Sequence, residues 1–195
     1  MGLNTGYLKA DRTEESNEQY TPYYAVEPIL KYIPDGAKVW TPFDREWSAF
    51  YQSFKARGGG SSVVRSDISD GLDFFTYEPP EYDCIVSNPP FTQKDAVLKR
   101  LYELGKPFAV LLPLNSLQSV DRYKYFRQGI QILAFDKRIA FHSPQSMRDY
   151  KKGVSFATVY FCHDILPRDL IIEELKEYKK PLTAEREVQG NESRI

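Results

Sequence analysis

The residues best suited to chemistry lie in one run near the middle of the chain, Asp83-Cys84-Ile85-Val86-Ser87-Asn88-Pro89-Pro90-Phe91. An apolar, strand-like stretch stops there on a carboxamide, two residues without backbone donors and an aromatic ring. The carboxamide oxygen accepts hydrogen bonds, the prolines stiffen the turn that carries it, and the ring offers a flat stacking surface. Such a set makes a poor core and a good socket for a flat, polar ligand. The competing reading is a strand-terminating turn in which Phe91 caps the core.

The elements that would position this run alternate along the chain. A short helix over 25–33 precedes the strand AKVWTPF. EWSAFYQSFKARGGG then carries Trp47, Phe50, Tyr51 and Phe54 at helical spacing and stops at glycines 58–60. The strand SSVVRS comes next, a short segment LDFF takes the place of a third strand, and DCIVS is the fourth. QKDAVLKRLYELGK reads as a helix ending at Gly105. PFAVLLPL, the fifth strand, is a continuous apolar run of the kind buried on both faces of a parallel sheet. A helix in SVDRYKYFRQG, a strand IQILAF, a loop over 136–153, a strand VSFATVYFC and a last amphipathic helix over 168–178 complete the pattern. Strands separated by helices give βαβ units, hence an α/β fold with a mostly parallel, doubly wound sheet and helices on both faces. Ligands of such sheets sit beyond the carboxyl ends of the strands, where the turns TPFD, SD, NPPF and PLNS all fall. No internal repeat is present. Residues 1–19 and 179–195 are polar and aperiodic and read as flexible tails around one domain over 20–178.

Composition narrows the class. With 195 residues, 42% of them hydrophobic, one well-filled domain is the expectation. No apolar run approaches the roughly 18 residues of a membrane span, and the first twenty residues lack the apolar core of a secretory signal, so a cytoplasmic protein is expected. Cys84 and Cys162 each lie inside an apolar run and read as buried, reduced thiols. With two histidines and no paired Cys/His spacing, no metal is expected. The net charge of -1 is unevenly spread: residues 91–152 hold twelve Lys/Arg against five Asp/Glu, and residues 21–90 hold six against ten. A basic segment following the socket suits an anionic polymer, because phosphate contacts supply much of nucleic-acid affinity; a solvated helix face is the alternative.

With the strand ending in Asn88-Pro89-Pro90-Phe91 inside this α/β pattern, the chain resembles the adenine-amino (N6) DNA methyltransferases. The small phage and plasmid group of adenine methyltransferase-like proteins is most similar, over roughly Tyr20 to Cys162. The resemblance implies a Rossmann-like, S-adenosylmethionine-dependent methyltransferase fold with a seven-stranded sheet, S-adenosylmethionine as cofactor, and nucleic acid as partner, DNA before RNA. By the same resemblance the Asn88 side-chain oxygen and the Pro89 carbonyl accept the two N–H bonds of the adenine amine, Pro90 stiffens the turn, and Phe91 stacks on the base. The base must be flipped out of a duplex or supplied single-stranded.

The cofactor residues implied are Tyr20 and Thr21 in YTPYYAVEPIL, over the methionine part; Pro42, Phe43 and Asp44 in TPFD; Asp67 on the ribose hydroxyls; and Asp73 with Phe74 beside the adenine ring. For Tyr20 to Leu30 an ordinary turn and helix is the alternative, for Asp67 a turn acid, and for Phe75 a core position. Asn115 and Ser116 in PLNSL resemble a wall of the target-base pocket, with a helix N-cap as the other reading. Lys137, Arg138 and His142, in DKRIAFHSPQSMRDYKKG, lie where this class places target-recognition loops; His142 reads as a loop hydrogen-bonder rather than an acid or base. One departure stands out. Where the family has a glycine-rich loop after the first strand, this chain has TPFDREWSAF, which contains no glycine. Either the loop takes another path, or the chain is a catalytically inactive relative that binds nucleic acid, a nucleotide or a protein partner.

Overall fold

The structure is a computed structural model that describes residues 20–58, 60, 62–141 and 156–176. Four α-helices and seven strands follow in the order α1 (Tyr23–Leu30), β1 (Val39–Pro42), α2 (Ala49–Gly58), β2 (Val63–Ser66), β3 (Cys84–Ser87), α3 (Lys94–Leu104), β4 (Phe108–Pro113), α4 (Val120–Phe126), β5 (Gln131–Phe135), β6 (Thr158–His163) and β7 (Leu170–Glu173). They build one sheet of order β2-β1-β3-β4-β6-β5-β7. Strands β2, β1, β3 and β4 are parallel, β6 runs antiparallel to both β4 and β5, and β7 is parallel to β5.

Strand periodicity explains the two-sided core. Val39, Val86, Leu111 and Tyr160 point to the face covered by α1 and α2, where Ala25, Val26, Ile29, Phe50 and Phe54 meet them. Their chain neighbours Trp40, Ile85, Val110 and Phe161 point to the opposite face, against Val97, Leu98 and Leu101 of α3. Both faces are buried, so strand residues read as unbroken apolar runs instead of alternating. Each large apolar side chain taken fully out of water contributes about 1.5–3 kcal/mol. α3 ends where Gly105 takes φ = 62°, the left-handed cap that glycine adopts without strain. Cys84 and Cys162 are buried and free, and burial pushes the Cys84 thiol up to about 12. Among the described residues no helix is long and apolar enough to cross a membrane.

Two expectations are corrected. Leu72–Phe75 forms no strand, because the Asp73 carboxylate accepts from Phe75 N–H at 3.0 Å and the Asp73 carbonyl from Thr76 and Tyr77 N–H, which closes a turn. DCIVS is therefore the third strand and PFAVLLPL the fourth. The helix expected over 168–178 is instead edge strand β7, paired Leu133 to Ile171 and Phe135 to Glu173; the sheet still counts seven strands. Glu173 accepts from Lys31 and Tyr32 at the end of α1, which ties β7 to the first layer. Both tails and the expected loop and strand residues at 142–155 lie outside the described residues.

Gln131 holds the connection into β7. Its Oε1 accepts from Ile165 and Leu166 N–H at 3.0 and 2.9 Å, and its Nε2 donates to Leu166 O at 2.6 Å. Gln131→Ala strands these backbone groups and should lower stability by about 1–3 kcal/mol in urea denaturation.

Candidate functional site

The first turn of interest begins where β1 ends. Phe43 takes φ = 67°, a left-handed conformation that glycine enters freely and a bulky residue enters at a cost on the order of 1–3 kcal/mol. Its ring rests on Phe74, 4.9 Å between centroids, and Phe74 packs on Trp40 at 5.4 Å, so aromatic burial offsets the backbone cost. The turn sends Asp44 inward until it is only 6% exposed. Asp44 Oδ2 lies 2.9 Å from Ser87 Oγ, and that same hydroxyl donates to the Pro42 carbonyl. Ser48 also hydrogen-bonds the carboxyl, while its own Oγ accepts from Arg45 N–H at 2.8 Å. Burial pushes the Asp44 carboxyl up to about 8; the two serines oppose the shift and the Asp67 charge adds to it.

Ser87 is the last residue of β3 and Asn88 follows it. From β1 the chain moves to β2 on one side and later returns to β3 on the other. The crevice between the carboxyl ends of β1 and β3 is thus a topological switch point, the place where open α/β sheets bind ligands. Asn88 is half-buried with Oδ1 shielded from solvent, Pro89 is buried, and Pro90 and Phe91 are half-buried. Gln93 N–H closes a 3-10 turn on Pro90 O at 3.0 Å, and α3 starts at the next residue. The Phe91 ring touches both core layers and meets Phe141 and Phe156 edge-on, at 6.3 and 5.5 Å.

The remaining expected residues fall into three groups. Around the switch point, Asp67 caps a 3-10 turn, its Oδ1 accepting from Ser69 N–H at 2.9 Å and lying 3.8 Å from Arg45 Nε. Tyr20 stacks edge-on against Trp47 of the β1–α2 loop at 4.6 Å, and Thr21 is half-buried beside it in the chain. Asp73 is half-buried and engaged in its own turn, and Phe74 is 2% exposed, so Phe75 is the more accessible of the two rings. A second group shares a cavity of about 510 Å³ beyond β4: Asn115 and Arg138 line it together with Leu114, Leu117 and Phe156. Ser116 is instead fully buried and its carbonyl accepts from Arg122 Nε at 2.7 Å. Lys137 is exposed next to Arg138, and His142 lies outside the described residues.

Ser87, Arg122 and Phe156 were not singled out by the sequence, whereas Phe141 lies in the segment DKRIAFHSPQSMRDYKKG that was. Ser87 had a signal, a hydroxyl in an otherwise apolar strand one residue before Asn88. Arg122 had none: its guanidinium is 8% exposed and ties the 115–118 turn to Asp95 at the start of α3, a contact made across the fold. A larger cavity, about 540 Å³, is lined by Lys38, Glu78, Glu81 and Lys106 at the amino ends of the strands, away from these residues.

The fold is that of the S-adenosylmethionine-dependent methyltransferases. The methyltransferase subunit of a type I restriction-modification system from Streptococcus thermophilus is similar with a TM-score of 0.53 at 14% identity, over 91% of this chain and 54% of that one. A protein described as a class I S-adenosylmethionine-dependent methyltransferase from Listeria monocytogenes aligns over 95% of this chain and 74% of its own, at 13% identity and a TM-score of 0.45. The chain therefore spans about half the length of the restriction-modification subunit. No protein-family model matches the chain, and no curated protein is similar to it in sequence.

The buried Asp44 makes stability depend on pH. Its folded carboxyl titrates near 8, against 3.8 as the ordinary value, so between those values the folded chain holds one proton more than the unfolded one. Stability contributed by the neutral acid is lost as pH rises through this window, by at most about 1.4 kcal/mol per pH unit. Relative to Asp44→Asn, which keeps a neutral side chain of the same shape, the parent protein should lose stability from pH 5 to 8 and level off above. Urea denaturation of both proteins across that range checks this, and a stability difference that stays constant with pH would mean that Asp44 is ionised throughout.

Proposed function

We propose that the chain is an S-adenosylmethionine-dependent methyltransferase that acts on the exocyclic amine of adenine in nucleic acid, DNA before RNA. The observation that carries this reading is the position of Asn88-Pro89-Pro90-Phe91. The turn leaves the carboxyl end of β3 at the switch point, one residue beyond the Ser87 that binds Asp44.

The residues present fit the cofactor's chemistry. It brings an α-ammonium group and ribose hydroxyls, and here the deeply buried carboxyl of Asp44, bonded to Ser87 and Ser48, stands beside the half-buried carboxylate of Asp67. When bound, that group supplies an activated methyl carbon. Asp44 and Asp67 would hold its charged end and its ribose, with Tyr20, Thr21, Pro42, Phe43, Asp73 and Phe74 forming the surround. Adenine's amine is a weak nucleophile because its lone pair is delocalised into the ring. Asn88 Oδ1 and the Pro89 carbonyl would accept hydrogen bonds from its two N–H groups and so raise the electron density on the nitrogen that faces the methyl carbon the bound cofactor would supply. The proton that the nitrogen loses would pass to solvent, since the two amide oxygens accept hydrogen bonds but do not hold a proton. Acceptors fixed by two prolines need no reorganisation during that step. Phe91, braced by Phe141 and Phe156, is the stacking surface, and Asn115, Lys137, Arg138 and His142 belong to the wall and approach of the nucleic acid, with Ser116 buried behind them.

The proposal is tested in two stages. Titration calorimetry with S-adenosylmethionine and S-adenosylhomocysteine should give micromolar binding that weakens in Asp67→Ala. With binding established, methyl transfer to adenine-containing single- and double-stranded oligonucleotides should fall at least 100-fold in Asn88→Ala while its thermal unfolding stays close to the parent's. Binding of neither ligand at millimolar concentration would favour the second reading, an inactive relative that binds nucleic acid, a nucleotide or a protein; the glycine-free loop TPFDREW is the feature that supports it.

A further inference from the structure

We infer that Asp44 is a neutral carboxylic acid in the ligand-free protein and gives up its proton when a cationic ligand enters the crevice between β1 and β3, so that binding of the methyl donor releases one proton. The inference rests on the reading of that crevice as a cofactor site.

Counting protons leads to it. The Pro42 carbonyl can only accept, so the bond between it and Ser87 must use the single hydroxyl proton of Ser87. The second contact of that hydroxyl, to Asp44 Oδ2 at 2.9 Å, then has no proton unless Asp44 brings one. A protonated Asp44 donates to Ser87 Oγ and completes a chain in one direction. Arg45 N–H donates to Ser48 Oγ, the Ser48 hydroxyl to the Asp44 carboxyl, Asp44 to Ser87, and Ser87 to Pro42. An ionised Asp44 would leave two oxygens facing each other across one of these contacts.

The surroundings agree with this protonation state. Asp44 is 6% exposed, and burial, the largest influence on it, raises its affinity for a proton. From β2 it faces the Asp67 carboxylate, from β3 and the start of α2 only the serines, and from β6 the Tyr160 phenol, which donates to Ala25 O at 2.8 Å. Arg45 and Glu46 follow on its own loop, but the Arg45 guanidinium approaches Asp67, and neither is among the groups that shift Asp44. A cation placed in this crevice supplies the missing counter-charge. It stabilises the carboxylate, the proton leaves to solvent, and Ser87 is then free to turn its own proton from Pro42 to Asp44.

Calorimetric titration of the full chain with S-adenosylmethionine and with S-adenosylhomocysteine, at pH 6.0, 6.5 and 7.0 in phosphate and in imidazole buffer, reads this directly. Both ligands carry an α-ammonium group whose ordinary range, about 7.7–8.0, lies above the window. The difference in heat between buffers should correspond to about one proton released per ligand bound, and affinity should rise nearly tenfold per pH unit. Asp67→Ala should bind more weakly and still release the proton; Asp44→Asn should show no release and a flat pH profile. Binding with equal ionisation-corrected heats and no pH dependence in the parent protein would overturn the inference while leaving the cofactor site standing. Release that persists in Asp44→Asn would overturn the assignment to this residue. Failure of both ligands to bind at every pH would overturn the cofactor reading and this inference with it.

Discussion

One serine hydroxyl, that of Ser87, holds the functional end of the sheet together. Its oxygen contacts both the Pro42 carbonyl and the Asp44 carboxyl, so it links the ends of β1 and β3 at the point where those strands part to form a crevice. Everything around it follows from making that double contact. Asp44 reaches Ser87 because Phe43 turns the chain into the left-handed region, and Phe43 remains there because its ring is seated on Phe74. Phe74 is seated in turn against Trp40, whose indole N–H donates to Ser66 Oγ at the end of β2, at 3.0 Å. Three neighbouring strand ends are thereby tied together through side chains, and between β1 and β3 the tie lies past the last paired residues, Trp40 and Ile85.

Burial on both faces of the sheet gives this rim its rigidity. The strands cannot slip by one residue without moving Val39, Val86 and Leu111 from the α1–α2 layer into the α3 layer, so register is strongly specified. The Asn88–Phe91 turn inherits that precision from Ser87 behind it and α3 ahead of it. Phe91 is the joint, since it touches both core layers and is flanked by Phe141 and Phe156. Those two rings flank residues 142–155 in the chain. Arg122 adds a further brace, spanning from the turn after β4 to Asp95, the second residue of the helix that follows the socket.

Much of this was legible in the sequence because it depends on local pattern. PFAVLLPL read as a strand buried on both sides since no polar residue interrupts it, and QKDAVLKRLYELGK read as a helix because Val97, Leu98 and Leu101 share one face and Gly105 stops it. The errors arose where tertiary contacts overrode local preference. RDLIIEELKEY has helical spacing in Ile171 and Leu175 and several good helix formers, yet the adjacent Ile171 and Ile172 found a free edge beside β5 and paired there. Leu72–Phe75 has the apolar content of a strand, but the Asp73 side chain captures the backbone two residues on and turns it. For the site, the residues that act through local chemistry, Asn88 and its prolines, could be named from type and spacing. Arg122 and Phe156 come from distant parts of the chain, and no spacing in the sequence announces their contacts.

The glycine-free loop shows how the same turn is reached by other means. Glycine in such a loop lets the chain take positive φ without strain and lets bare backbone approach a ligand. Here Phe43 takes the positive φ itself, and aromatic packing with Phe74 compensates for the strain. What this solution gives up is bare backbone at the crevice; what it puts there is the Asp44 side chain, buried, proton-bearing and tied to the strand that carries Asn88. On the proposed reading, recognition in this crevice would rest on a carboxyl that can change charge in place of backbone dipoles. A ligand bringing positive charge is favoured over a neutral one of the same shape by the whole difference between an uncompensated and a compensated buried carboxylate.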